Sequence, residues 1–592
     1  MEHPSNREIA SVLEQLAEHS QFVGARYPAR AYQRAASAIA QLPVSVGALA
    51  MAGRATELRG IGRSIQSRIA EYCDTGTIAE LERLREETPP ARLLLTRLPG
   101  LGPKTSTVIW DTLRPTSIEE LEEMVSDGRL RTVRGVGPAT EDIVRAGILE
   151  LEHEPEQLAV QLLRSQAQRA VADIAGVLRG SVPGVLRILE AGQLRRGFEL
   201  VDMLDIVVVA EDTVAATAAL REQLDARGWL TSSEDAPIVD ECLTFALDGL
   251  SGAGVRIHVT DTAHEAASYA YAVGPVDHAR TVLERSGAAP AAAAPTSPVP
   301  PDAPRAAPDA DLYRRARLAW IAPERRDAAG ALEAASAAFA VNRDMPALVA
   351  AADLRGELHC HSNWSDGRAT MEAMAHAAIA RGSEYLAITD HSWSLRIVNG
   401  LAPADLAAQW RELERVRATM PDGFHLLQGT ELEILPDGTL DFPDDVLERL
   451  DWIVASIHSR QRQPAEEITR RIERAMFNPY VDCIGHPTSR LLLRRPRTEL
   501  DTDRLIELAA HTGTFLEINS SPDRLDLDAP TAARAADAGV LLCINSDAHG
   551  PNTLGLVEHG AAIARRAGLR PDQVANTRSW EQLRSLQKRW RA

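Results

Sequence analysis

A chain of 592 residues, at roughly 100–200 per domain, holds about three to five domains. Charged residues at 25% and hydrophobic ones at 45% match ordinary globular averages, which excludes a wholly disordered, collagen-like or disulfide-framework chain. No run reaches the roughly 18 uncharged apolar residues of a membrane span, and Met1-Glu2-His3-Pro4 lacks a basic region ahead of an apolar core, so the expected location is the cytoplasm, with no membrane partner.

The five cysteines, Cys73, Cys242, Cys360, Cys483 and Cys543, form no C-x-x-C pair and imply neither a secreted scaffold nor a zinc ribbon. Net charge is -19, yet residues 1–150 carry 18 Lys/Arg against 20 Asp/Glu, so the acid lies further along the chain. Lysine occurs only at Lys104 and Lys588.

Residues 1–150 contain a repeat: Leu58-Arg-Gly60-Ile-Gly62, Leu98-Pro-Gly100-Leu-Gly102 and Val133-Arg-Gly135-Val-Gly137. Two glycines around one apolar residue allow a tight turn whose backbone N–H groups, at the start of the next helix, face a phosphate oxygen. That grip is indifferent to base sequence. A single such turn is usually an ordinary helix connection. Three in succession, flanked by Arg63, Lys104 and Arg134, resemble the helix-hairpin-helix motifs of DNA repair proteins and polymerases, and predict a DNA-binding region over 1–150.

Residues 151–286 include buried strands such as Leu204–Val209 between helical runs. The stretch from Ala191 to Val208, with Arg195-Arg196-Gly197, resembles the nucleotidyltransferase core of family X DNA polymerases. The family pattern is G-S, R-R-G, a D-x-D pair and a third Asp on a neighbouring strand. Here G-S is Gly192-Gln193, the first Asp aligns with Met203, the second is Asp205, and the third aligns with His258. Asp202 lies three residues from Asp205, so on a strand the two face opposite sides. Asp205 is the one catalytic carboxylate retained, Mg²⁺ is poorly provided for, and the core is expected to be inactive. Lys104 is the sole lysine available there for Schiff-base lyase chemistry, and a phosphate contact is its better role.

From 287 to 310 the chain is Ala- and Pro-rich, a linker that cannot bury a core; connecting helices are expected over 311–352. Over 353–592, short apolar strands alternate with amphipathic helices, as in a βα barrel or doubly wound sheet. Successive strands run into His359 and His361, His391, Glu431, His458, His486, and Asp547 with His549; Phe515-Leu-Glu-Ile-Asn519 makes a seventh. In a parallel barrel these ends converge on one face. His376, His425, His511 and His559 lie off the pattern, and Cys360 should point away from its neighbours.

The motifs H-C-H-S-N-W-S-D-G, T-D-H, G-T-E, S-I-H-S, G-H-P and S-D-A-H closely resemble the PHP (polymerase and histidinol phosphatase) phosphoesterases. The resemblance implies a distorted (βα)7 barrel in which His359, His361, Asp366, His391, Glu431, His458, His486, Asp547 and His549 hold up to three metal ions. Glu431 would bridge two of them, and Glu431, Asp547 and His549 would be catalytic. Imidazole and carboxylate ligands suit Zn²⁺, Mn²⁺ or Fe²⁺. Arg460 and Arg462 are candidate phosphate-binding residues.

The whole chain thus resembles bacterial family X polymerases with a C-terminal PHP domain. The expected architecture is multidomain α/β: a helical helix-hairpin-helix region, a family X nucleotidyltransferase-like region and a (βα)7 PHP barrel. The expected activity is a DNA-binding, metal-dependent phosphoesterase of the 3′-to-5′ exonuclease type, acting on primer-template, gapped or single-stranded ends. Its rivals are an active family X repair polymerase with PHP proofreading, a phosphatase of the histidinol phosphate type, and a DNA-binding scaffold without turnover.

Overall fold

The structure, a computed structural model, describes residues 4, 6–22, 31–32, 34–36, 39, 46–58, 61–87, 103–115, 118–133, 136–137, 140–141, 144, 161–225, 242–246, 254–287 and 307–590. The chain divides into two compact units, Met1–Leu158 and Ala159–Ala592.

The first unit is helical. The helix Arg63–Thr75 starts at Gly62, buries Ile65 and Ile69 one turn apart, and ends at Gly76 in the left-handed region, whose N–H reaches the Tyr72 carbonyl. It packs with Asn6–Phe22 and Ala79–Glu87 around Leu13, Leu16 and Leu81. A second cluster gathers Ile109, Trp110, Leu121, Val133 and Val136.

In the second unit, strands β1 (Val185–Glu190), β2 (Met203–Ala210), β3 (Cys242–Ala246) and β4 (Gly254–Thr260) form a sheet in the order β1-β2-β4-β3. β2 is central and runs parallel to β4. Its side chains alternate: Leu204, Ile206 and Val208 enter one apolar cluster with the helix Arg164–Ser181, while Val207 and Val209 meet Tyr269 and Val273 on the opposite face.

The rest of this unit is a parallel barrel of seven strands: β5 (Gly356–Cys360), β6 (Tyr385–Ile388), β7 (His425–Glu433), β8 (Trp452–Ser456), β9 (Cys483–Ile484), β10 (Phe515–Asn519) and β11 (Leu542–Asn545). Each pairs with its sequence neighbour, and a parallel bridge between Cys360 and Ala548 brings the last strand back to the first. This is the seven-stranded PHP-type barrel the sequence predicts. One end is dry, filled by Leu358, Leu427, Trp452, Phe515 and Cys543 and covered by Trp580 and Leu583. That leaves the C-terminal strand ends to carry polar side chains. Cys360 packs with Met371 and Met374, turned away from its histidine neighbours.

The smaller sheet is tied to the barrel by ion pairs. Glu324 accepts from Arg195 (3.0 Å) and Arg565 (2.8 Å), and Asp327 takes Arg196 (3.2 Å) and Arg566 (2.8 Å). The Arg566 guanidinium also lies 3.6 Å from the Phe198 ring centroid. Among the described residues no helix is long and apolar enough to cross a membrane. Most of the expected 287–310 linker, residues 288–306, lies outside the described residues.

Candidate metal centre

All nine strand-end residues converge at the C-terminal mouth of the barrel. The positions follow from strand geometry, since His359 and His361 at the end of β5 share a side by their i, i+2 spacing. Glu431, on β7, sits at the middle. Its Oε2 faces His391 Nδ1 (2.9 Å), His359 Nε2 (3.4 Å) and His361 Nε2 (3.6 Å); its Oε1 faces His486 Nε2 (2.8 Å) and His458 Nε2 (3.2 Å). Asp547 Oδ1 meets His361 Nε2 (3.1 Å) and His359 Nε2 (3.7 Å). Asp366 bridges His549 Nε2 (3.2 Å) and His391 Nε2 (3.6 Å) at the outer edge. Three overlapping groups have ligand atoms mutually within 4.8 Å: His361, Asp366, His391 and His549; His359, His361 and Asp547; His391, Glu431 and His458.

These spacings suit ions. Bonds of about 2.1 Å to nitrogen or oxygen put neighbouring donors about 3 to 3.5 Å apart. His359 Nε2 and His361 Nδ1 are also buried without a hydrogen-bond partner, a costly state that coordination would relieve. Burial alone would push the Glu431 carboxyl up, but His458, His359 and His391 overturn this and hold it well below its ordinary value. His391, likewise buried, is raised to about 10 by Glu431 and Asp366. His361 goes the other way, down to about 4, through burial and the neighbouring His391. A neutral imidazole is the form that ligates.

Carboxylates behind the ligands fix their orientation. Glu517 pairs with His359 Nδ1 (2.7 Å) and accepts from the His486 N–H (2.7 Å). Glu433 pairs with His458 Nδ1 (2.9 Å) and accepts from the Ser459 N–H and hydroxyl. Asp390, at the T-D-H motif, takes Ser362, Ser365 and Gln409. These three were not singled out from the sequence. Glu433 carried a signal, being two residues from Glu431 and therefore on the same face of β7; Glu517 lies on the one strand that supplies no expected ligand.

Arg460 and Arg462 lie exposed on the turn after β8. On the smaller sheet, Asp205 is buried and pairs with Arg256 NH1 (3.0 Å), with His258 Nε2 at 3.5 Å. Asp202 turns elsewhere, to Gln161 and Gln193. Met203 lies in register with Gly254. The hairpin residues are partly visible. Gly62 precedes Arg63–Thr75, and its carbonyl accepts from Gln66; the Gly137 carbonyl accepts from Thr140 and Glu141. Ile61 and Val136, the apolar residues between the glycines, are buried. Gly60, Gly100, Gly102, Gly135 and Arg134 lie outside the described residues, as does the side chain of Lys104, which belongs to the helix Pro103–Leu113.

Comparison with known proteins matches residues 4–78 to a helix-hairpin-helix domain model and residues 357–521 to a PHP domain model. The chain is 31% identical over 587 residues to the DNA polymerase/3'-5' exonuclease PolX of Bacillus subtilis (strain 168), covering 98% of this chain and 99% of that protein. It is also 30% identical over 233 residues to a probable phosphatase of Thermoanaerobacter sp. (strain X514), covering 37% of this chain and 89% of that protein. A probable phosphatase of Acetivibrio thermocellus is 34% identical over 154 residues, 26% of this chain and 58% of that protein.

Proposed function

The chain belongs to the bacterial family X DNA polymerases that carry a C-terminal PHP domain, and on that premise we propose that it hydrolyses phosphodiesters at DNA ends, in the 3′-to-5′ direction. The observation that carries this is the convergence of eight His and Asp side chains around Glu431 at the mouth of the barrel. His359, His361, Asp366, His391, Glu431, His458, His486, Asp547 and His549 would hold up to three ions, with Zn²⁺, Mn²⁺ and Fe²⁺ matching the donor set. When bound, such ions acidify a water and draw off the charge that develops on a phosphoryl group.

The protein's own residues set the geometry. Glu431 gives both carboxylate oxygens to the centre, so adjoining ligand groups are held at a fixed separation. Glu517 and Glu433 pin His359 and His458 by their Nδ1 atoms, leaving Nε2 to face inward. Asp366 and His549 form the open rim, with His549 37% exposed in its side chain, so substrate enters from their side.

The division of labour follows the chain. Residues 1–150 grip the DNA backbone through the hairpin glycines, 151–286 form a family X core that positions DNA, and 353–592 do the chemistry, in the cytoplasm. The core is read as inactive because Asp205 is engaged by a guanidinium and faces an imidazole where the family pattern places further carboxylates. Cationic neighbours displace Mg²⁺ rather than attract it. A second reading, an active polymerase with PHP proofreading, draws on the printed activity of the Bacillus subtilis relative. A phosphatase of small molecules draws on the probable phosphatase that matches 37% of this chain, but leaves the helix-hairpin-helix match without a role.

With Mn²⁺ and end-labelled DNA, the joint substitution Asp547→Ala and His549→Ala should abolish shortening while Asp205→Ala leaves it intact. Shortening that survives the first pair, or that disappears with Asp205→Ala, would place the chemistry outside the barrel.

A further inference from the structure

The loop after β6 runs along the rim of the metal centre. It leaves the strand through His391 and is fixed at several points. The Ser392 N–H donates to the Glu431 carbonyl (3.0 Å), the Ser392 hydroxyl accepts from the Glu433 N–H (2.9 Å), the Ser394 N–H donates to Asp441 Oδ2 (2.7 Å), and the Leu401 N–H returns to the His391 carbonyl (2.9 Å). Asn399 Nδ2 crosses to the carbonyl of Ser365 (3.4 Å), the neighbour of Asp366. Gly400 is required for this closure, since a Cβ there would overlap the Ser392 carbonyl. The loop is thus held rigidly beside the open side of the mouth.

One large side chain of the loop is left outside. Trp393 is 39% exposed and stands two residues from His391, so its Cα lies at most about 7 Å from that of the histidine. Arg396, on the short helical turn Arg396–Val398, lays its guanidinium 3.4 Å from the indole centroid. Among the described residues Arg396 makes no ion pair, so its charge is not neutralised by the protein.

A single exposed apolar residue ordinarily needs no explanation. Trp590, the other exposed tryptophan among the described residues, shares a hollow with Trp580 at the dry end of the barrel. Trp393 differs in place and company, standing on a rigid loop at the polar end, beside a candidate metal ligand, with a free positive charge against its ring. A flat aromatic surface at the entrance to a phosphoryl-binding centre matches a nucleotide. With the phosphate taken by the centre, the base of an opened DNA end loses its stacking neighbour, and an indole replaces that neighbour without regard to sequence, because every base has a π face. The unpaired guanidinium adds attraction for the polyanion.

We propose that Trp393 is a base-binding platform, on which the nucleotide held in the metal centre stacks its base, with Arg396 backing the indole. The proposal rests on the phosphoesterase reading and deepens it by naming the substrate class as a nucleotide end with an unstacked base, not phosphate esters at large.

The test uses the full-length protein with Mn²⁺ supplied and two probes, the phosphonate analogue of deoxyadenosine monophosphate and that of its base-free sugar phosphate, whose P–C bonds resist hydrolysis. Binding by titration calorimetry and bound metal by elemental analysis are compared for the wild type, Trp393→Ala and Trp393→Phe, alongside shortening of end-labelled DNA by the wild type. The wild type should prefer the base-bearing probe by about 10- to 100-fold, the worth of stacking one base. Trp393→Ala should lose that preference while keeping its metal and its affinity for the base-free probe, and Trp393→Phe should keep most of it. A wild type that binds both probes equally, or neither, overturns the proposal, as does a preference that survives Trp393→Ala. Loss of metal or of base-free affinity together with the preference also overturns it, by making Trp393 a support for the loop. A Trp393-dependent preference in a wild type that does not shorten DNA upholds the platform and refutes the phosphoesterase reading.

Discussion

Glu431 faces five imidazoles with two oxygens, so its charge, more than its shape, organises the centre. Glu431→Gln keeps the volume and removes the charge, and should lower bound Mn²⁺ or Zn²⁺ by at least one equivalent in elemental analysis. Glu517→Gln tests the layer behind. It weakens the hold on His359 Nδ1 and should reduce metal affinity by about 10- to 100-fold without unfolding the barrel; unchanged affinity would show that His359 needs no orienting partner. A third residue reports on stability. His278 is buried against the Tyr313 hydroxyl (2.7 Å), and burial together with Arg326 pushes it down to about 4. Burial raises the Tyr313 pKa, so its hydroxyl stays protonated beside the neutral ring. The unfolded imidazole takes its proton near 6.5, so between that pH and about 4 the unfolded state binds more protons. Stability from this group is therefore full above about pH 6.5 and falls, by up to about 3 kcal/mol, as the pH drops towards 4. His278→Gln, which keeps a polar partner for Tyr313, should flatten the decline in Tm between pH 7 and 5; an identical slope would exonerate His278.

The helix after Gly62 tests the hairpin reading with little damage to the fold. Gly62 has an extended backbone (φ −86°, ψ 171°), and a Cβ there meets nothing within 4 Å. Gly62→Val should therefore shift Tm only by the loss of a tolerable cap, about 1 kcal/mol, while its branched side chain obstructs a phosphate approaching the backbone N–H groups. DNA affinity should fall and its salt dependence weaken. An unaltered affinity would leave the turn a mere helix connection. The barrel strands were legible because each is a short apolar run that ends in a chemically distinctive side chain, a local signal. The Glu433 partnership was half legible, by its two-residue spacing from Glu431. The Glu517 partnership was not legible. It joins His359 across 158 residues, a relation made by the closing of the barrel and not by any local spacing.

At the scale of the molecule, the smaller sheet and the barrel form one unit, joined through Glu324, Asp327 and Arg490. The smaller sheet is thus attached to the barrel that carries the candidate metal centre, as the proposed scaffold that delivers DNA to it would be. Arg256 and His258 stand on the adjacent strand with their guanidinium and imidazole groups towards Asp205, the observation on which the proposal of an inactive core rests. The central claim, that the barrel hydrolyses DNA ends while the core does not extend them, is tested most directly on end-labelled primer-template with Mn²⁺, with and without the four deoxynucleoside triphosphates. The full-length protein should shorten the primer in both cases, and the Asp547→Ala, His549→Ala protein, in which hydrolysis cannot mask synthesis, should neither shorten nor lengthen it. Lengthening by that variant when nucleotides are present, lost on adding Asp205→Ala, would contradict the account and make the core a working polymerase.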